Sequence, residues 1–232
     1  MSRNIYLDGE YARKNPNFGV EDSHWKAQQV LKALRRNSLA PTSICEVGCG
    51  AGEILLQLQF SLPSDARFDG YEISPDAYRV SLSRANERLH FHCTDFTRHA
   101  SRRYDLLLCL DVFEHVPDYL GFLEAVRERA EYKIFHIPLD LSVQWLLRMT
   151  PILKERELVG HLHHFTRETA LDTLRWADYQ IVDTFYTAGS LDLPNKSAKQ
   201  MIARVPRRLA YRLSPDLTVR ILGGFSLLVV TR

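Results

Sequence analysis

The stretch from Ser43 to Leu58 limits what this chain can fold into more than any other. Ser43-Ile44-Cys45-Glu46-Val47 has the make-up of a short buried strand. Gly48-Cys49-Gly50-Ala51-Gly52 follows at once, and Ile54, Leu55 and Leu58 then fall at helical spacing. A strand that turns through alternate glycines into a helix lets the backbone bend sharply and brings a ligand close to free peptide N–H groups. A dinucleotide fingerprint, G-x-G-x-x-G, would need its third glycine where Glu53 stands. A carboxylate there would also face a pyrophosphate at the helix N-terminus. The pattern is instead E-x-G-x-G-x-G, with Glu46 two residues before the first glycine.

From about residue 42 onward, short apolar runs alternate with helix-period stretches, the mark of βαβ units and a parallel sheet. Expected strands are 43–47, 67–73, 89–93, 104–110, 132–137, 180–186 and 226–231. Ser74-Pro75-Asp76 reads as cap, first-turn proline and first-turn acid of a helix. Thr166 likewise opens a helix to about Trp176, and Asp22 or Ser23 opens one that carries Trp25, Val30, Leu31 and Leu34 on one face. The expected fold is α/β: a doubly wound, Rossmann-like seven-stranded sheet with helices on both faces. Residues 1–40 form an N-terminal segment and helix able to close over a site as a lid, and 41–232 form the domain. Helical insertions are expected at about 140–160 and 195–220. The first places Leu141, Trp145, Met149 and Leu153 at four-residue steps; the second carries Met201, Ile202, Val205 and Leu209 as an apolar stripe among arginines.

Charge and cysteine usage remove several classes. The 30 Lys+Arg and 28 Asp+Glu of the 232 residues leave a net +2, which disfavours a strongly basic nucleic-acid binder. The balance is uneven, because Lys196, Lys199, Arg204, Arg207, Arg208, Arg212, Arg220 and Arg232 face only Asp216 in the last stretch. Those arginines read either as a solvated helix face or as a surface for an anionic substrate or membrane. The first ten residues lack the apolar core of a secretory signal, and no apolar run approaches the roughly 20 residues of a spanning helix. Cys45, Cys49, Cys93 and Cys109 have no paired C-x-x-C spacing and read as reduced thiols, which points to a cytoplasmic protein. No metal-ligand set stands out: His161-x-His163 is a weak signal.

Taken in order, the motifs resemble class I S-adenosylmethionine-dependent methyltransferases, over about residues 42–232. The Glu46–Gly52 segment is similar to that family's glycine-rich motif. Gly70-Tyr71-Glu72-Ile73 ends the second strand with an acid able to accept hydrogen bonds from a ribose diol. Cys93-Thr94-Asp95-Phe96 resembles the position where an acid meets the adenine amino group, and Asp111-Val112-Phe113-Glu114-His115-Val116 resembles the family's D-x-x-E-H-V. His161-Leu162-His163-His164-Phe165-Thr166 and the closing Gly223–Val230 resemble the small-molecule branch. One departure is Ala177-Asp178-Tyr179, where the family has glycine at a left-handed position. The resemblance implies S-adenosyl-L-methionine as cofactor, S-adenosyl-L-homocysteine as product, and a last strand that runs antiparallel. It implies cofactor contacts from Glu46, Gly48, Cys49, Gly50, Gly52, Glu72, Ile73, Thr94, Asp95, Phe96, Leu110, Asp111, Val112 and His115.

Methyl transfer from a sulfonium requires an acceptor held close to the methyl group and screened from water; a base is needed only for an acceptor that must lose a proton. The candidates for chemistry are therefore His115, His136 and Glu114, at or beside strand ends. Tyr11, Trp25, His161 and His164 are candidates for contact with substrate. The implied function is transfer to a small-molecule acceptor, with oxygen favoured. Nucleic-acid or protein methylation, and a non-catalytic cofactor-binding scaffold, stand as alternatives. Asp111-Val112-Phe113-Glu114 lacks the Pro-Pro-aromatic signature of amino-directed nucleic-acid methylases. Peripheral membrane contact and a monomeric or homodimeric state are left open.

Overall fold

The structure, a computed structural model, describes residues 5–98, 102–194 and 198–232, with the side chains of 198–200 left out. Lys196 and the Lys199 side chain, both part of the expected basic segment, lie outside the described residues. In chain order the elements are α1 (Glu10–Lys14), α2 (Val20–Arg36), β1 (Ser43–Val47), α3 (Glu53–Ser61), β2 (Arg67–Glu72), α4 (Pro75–Ser81) and β3 (Leu89–Cys93). Then come β4 (Tyr104–Leu110), α5 (Tyr119–Arg127), β5 (Ala130–Pro138), α6 (Val143–Arg148), α7 (Thr150–Leu158) and α8 (Arg167–Trp176). The chain closes with β6 (Ile181–Thr187), α9 (Gly189–Asp192), α10 (Ala198–Leu213), α11 (Pro215–Ile221) and β7 (Ser226–Thr231).

The seven strands lie in the order β3-β2-β1-β4-β5-β7-β6. β1 pairs in parallel with β2 and β4, β2 with β3, and β4 with β5, while β7 runs antiparallel between β5 and β6. The first six strands therefore point the same way, and their carboxyl ends share one edge. Strand pleating divides the core between two faces. Ile44, Phe68, Leu106, Leu108 and Ile134 pack against α2 and α3, and Cys45, Leu107, Phe135 and Val229 pack toward α5 and α8. The four cysteines are free thiols, three of them buried. Among the described residues no helix is long and apolar enough to cross a membrane.

Local signals set most boundaries. Ser74 Oγ accepts from the Ala77 N–H, and Thr166 and Thr169 form a reciprocal capping box. Asp178 takes φ 61°, so it does occupy the left-handed turn expected of it. Two expectations need correction. The N-terminal helix starts at Val20, after Gly19 in the left-handed region, and not at Asp22 or Ser23. The 140–160 insertion is not one helix: the chain breaks at Met149, φ 55°, and Pro151 sits in the first turn of α7. Pro151 has no N–H to give to the carbonyl four residues back, at Leu147, and its ring would clash there, so α6 cannot run on through it.

Candidate active site

At the amino half of the sheet, the carboxyl end of β1 turns through Gly48, Gly50 and Gly52, at φ 70°, 54° and 77°. Only glycine takes these angles in sequence without strain, and two of the positions also leave no room for a side chain. A Cβ on Gly52 would run into the Phe91 ring, and one on Gly48 would lie 2.9 Å from Val112 Cγ2. The Gly48 and Cys49 N–H groups donate to Tyr71 O at 2.8 and 3.1 Å, which ties the loop to β2. Glu72, at the end of β2, accepts from Gly50 N at 2.8 Å and from Ser74 N at 2.7 Å. Burial raises its carboxyl above the usual range, and the backbone donors at Ser74, Gly50 and Ile73 hold it back.

Glu46 is buried on β1, and its Oε2 has no hydrogen-bond partner. Burial pushes its carboxyl up to about 8; Lys26 works against that shift and Glu72 adds to it. A buried carboxylate oxygen left unpaired is costly, so the site is built for a cation or donor brought by a ligand. The next predicted positions are less uniform. Asp95 spends one oxygen on the Thr97 N–H and hydroxyl, capping its own turn. Phe96 turns inward against Tyr71, with ring centroids 4.8 Å apart, and Leu110 is buried in the core, so only their backbones reach the strand edge. Ile73 and Thr94 stay partly open at the strand ends, and Cys49 is buried beneath the loop.

Beyond β4 the chain turns at Asp111, φ 55°. Its Oδ1 meets His136 Nδ1 at 2.6 Å and its Oδ2 meets Lys26 Nζ at 2.6 Å. Burial opposes the charge on Asp111, but His136 and Lys26 more than offset it and hold the carboxyl well below its usual range. The other His136 nitrogen pairs with Thr187 Oγ1 at 2.8 Å. Both ring nitrogens of His136 are thus taken, which leaves none to act as a base; the residue positions Asp111 instead. Trp25 lies edge-on to the His136 ring, 6.0 Å between centroids, and its Nε1 donates to Asp192.

A second polar cluster sits one turn further on. Glu114 is fully buried, and neither of its carboxylate oxygens has a hydrogen-bond partner, although Oε1 lies 3.8 Å from His115 Nε2. Burial and then Asp111 push it up to about 8, with His161 opposing. His115 is pulled down to about 4 by burial and then by His161, and its buried Nδ1 is unpartnered. The His115 and His161 rings meet edge-to-face at 4.8 Å. Asp140, just past β5, holds His161 Nδ1 at 2.7 Å and His164 Nδ1 at 3.1 Å. His161 is itself raised: burial lowers it, but the hydrogen bond to Asp140 and the Glu114 charge outweigh that. His163 turns away to Val116 O at 3.0 Å. Glu114–His115–His161 and Asp140–His161–His164 each gather ligand-type atoms within 4.8 Å, so the fold assembles metal-capable sets that spacing did not reveal. In the second set a cation would have to displace hydrogen bonds already made.

Residues 5–19 lie across both clusters. Tyr6 Oη donates to Val159 O at 2.6 Å, Lys14 Nζ to Glu157 O at 2.7 Å, and Asn15 Nδ2 to Leu158 O at 2.8 Å. At the other end Phe18 O lies 3.5 Å from where a Gly50 Cβ would be. The Tyr6 ring packs on Tyr11 at 4.9 Å and edge-on to His115 at 5.9 Å. Tyr6 falls in the segment expected from the sequence to close over the site, whereas Lys26, Asp140 and Thr187 were not among the expected site residues. Asp140 and Thr187 sit at or just past the carboxyl ends of β5 and β6, so the strand-end rule that picked His115 also reaches them. Lys26 precedes every motif and carries no local signal.

A family profile described as methyltransferase domain matches residues 23–184. No curated protein sequence matches the chain. Among solved structures, the complex between the Haloferax volcanii Trm112 methyltransferase activator and its methyltransferase matches with TM-score 0.70 and 16% identity, over 100% of this chain and 98% of that one. Magnesium protoporphyrin IX methyltransferase from Synechocystis PCC 6803, solved with S-adenosyl-L-homocysteine, matches with TM-score 0.60 and 16% identity, covering 90% and 83% of the two chains. The N-methyltransferase NodS from Bradyrhizobium japonicum, also with that ligand, matches with TM-score 0.55 and 16% identity over 89% and 85%. At these identities the likeness is one of fold.

Proposed function

The chain belongs to the methyltransferase-domain family, and from that premise we propose that it transfers a methyl group from S-adenosyl-L-methionine to a small molecule, with oxygen as the acceptor atom. The observation that carries the cofactor is Glu46: a buried carboxylate with an unpaired oxygen beside three glycines, two of which cannot carry a side chain. That donor set fits an α-ammonium at Glu46, a ribose diol at Glu72, and a chain laid along open backbone. When bound, S-adenosyl-L-methionine supplies an electrophilic methyl on a sulfonium, to be displaced in line.

The chain's own residues supply the rest. His115 is neutral at physiological pH because burial lowers it to about 4, and its free Nδ1 can accept a proton from an acceptor hydroxyl. Glu114, raised to about 8, is mostly protonated at neutral pH and can donate a hydrogen bond to the acceptor. Asp111 is fixed by His136 and Lys26, and so sets the turn that delivers Glu114 and His115. His161 and His164, braced by Asp140, form the acceptor wall. Residues 5–19 act as the lid that excludes water and must open for exchange.

Calorimetry with S-adenosyl-L-methionine, S-adenosyl-L-homocysteine and NAD tests the cofactor, and methyl-label transfer across a panel of hydroxyl and amine acceptors tests the chemistry. Binding of the two adenosyl ligands without NAD is expected, followed by label on oxygen. Tight NAD binding with no response to the adenosyl ligands would sink the reading.

A further inference from the structure

The helices inserted after β5 and after β6 stand on the same sheet edge as the site, because the parallel strands end there and β7 starts there. They touch one another: Trp145 of α6 packs where a Gly223 side chain would go, and α10 lies against α11. The inner side of α10 is anchored by Tyr211 stacked on Phe225 at 5.3 Å and by Arg207 bonded to Gly223 O. Its outer side is apolar and bare. Ile202, Val205 and Leu213 are 76%, 73% and 78% exposed, and Met201 and Leu209 join them on the same face. Leu147 of α6 (82% exposed) and Leu153 of α7 are exposed as well. An exposed apolar stripe along one helix, as on α10, marks a docking surface.

Charge decides what docks there. By helical spacing Arg208 borders the apolar stripe and Arg212 falls within it; both are exposed, Arg208 gives one nitrogen to Leu191 O at 3.0 Å, and neither makes an ion pair among the described residues. A second copy meeting this patch by two-fold symmetry would bring four arginines into one interface with no acid on α10 to pair them. Nucleic acid offers no match to the long aliphatic side chains, and a protein partner would need an apolar groove with acids placed for these two arginines. An anionic bilayer does: acyl chains take the leucines and isoleucine, while arginine stems lie along the interface and their heads reach lipid phosphates.

We propose that the outer face of α10 seats the protein on the surface of an anionic phospholipid membrane. The chain is not inserted; it lies on the bilayer with the site's rim toward the lipid. This rests on the exposed helices alone and stands whatever the acceptor proves to be.

Co-sedimentation of the full chain with phosphatidylglycerol-containing and pure phosphatidylcholine vesicles tests it. Binding to the first, weakened by salt, is expected. Arg208→Gln and Arg212→Gln should each cost about fivefold in partitioning, in line with one basic contact at the surface. The pair Ile202→Ser with Val205→Ser should cost tenfold or more while leaving thermal melting and S-adenosyl-L-homocysteine affinity unchanged. Absence of binding to phosphatidylglycerol vesicles would overturn the proposal. So would binding indifferent to these substitutions, or a solution dimer that Val205→Ser converts to monomer.

Discussion

The two ends of the site are built by different means. At the β1–β3 end, backbone does the work: glycine angles shape the loop, and Glu72 is held by the Gly50 and Ser74 N–H groups. At the β4–β6 end, side chains from distant parts of the chain hold one another, as Lys26, Asp111, His136 and Thr187 do in series. Backbone scaffolds tolerate little substitution but bind whatever carries the matching groups. Side-chain networks can be rewired residue by residue, which suits the end that must recognise one acceptor among many.

The sharpest way to break this contrast is at Gly52, where a side chain meets both a positive φ and the Phe91 ring. Gly52→Val should cost about 3 kcal/mol or more in unfolding free energy by denaturant titration and abolish cofactor binding. At the other end, His115→Ala should lower kcat about a hundredfold with little change in cofactor affinity. Its pH profile carries the mechanism. A base lowered to about 4 stays competent from pH 5 upward, whereas Glu114, raised to about 8, would give activity that climbs toward that pH. A flat profile from pH 5 to 8 supports His115; a rising one transfers the role to Glu114.

Lys26→Met removes one of the two partners of a buried carboxylate and should cost about 2 kcal/mol. Hydrogen exchange should quicken around Asp111 and His136 while the Glu72–Gly50 bond stays protected. Equal loosening at both ends would erase the distinction between them. Glu46 offers a pH test of the unliganded protein. Its carboxyl titrates near 4.5 when unfolded and near 8 when folded, so between those values the native state holds the extra proton. Stability contributed by this group therefore falls as pH rises through that window, and Glu46→Gln should flatten the fall in melting temperature. The smallest effect is expected at Asp178, on the opposite edge of the sheet. Relief of its left-handed strain by Asp178→Gly should raise stability by less than about 1 kcal/mol, with no change in activity.

The same contrast explains what could be read from the residues alone. The glycine loop, Glu72 and the seven strands were legible because short spacings and alternating apolar runs encode backbone geometry directly. The antiparallel last strand followed from the resemblance. The break at Met149 was hidden by apolar residues at four-residue steps on both sides of it, although Pro151 was the available warning. The pairing of Lys26 with Asp111 was not legible, because two residues 85 positions apart meet only once α2 has packed against the sheet. His136 looked like a candidate base from its strand position, and only its two neighbours, from β4 and β6, reveal that its nitrogens are spoken for.

The placement of β7 has a consequence for how the molecule is made. β6 stands at the sheet edge with β7 between it and β5, yet Thr187 and Ser226 are 39 residues apart in the chain. During synthesis β6 emerges long before the strand that attaches it, and α9, α10 and α11 are made in the interval. Docking of β7 is then the step that joins β6 and the helices after it to the rest, a non-local and hence slow event. Through that delay α10 lacks the anchor that Phe225 and Gly223 give its inner side, so both of its faces stand exposed until β7 docks.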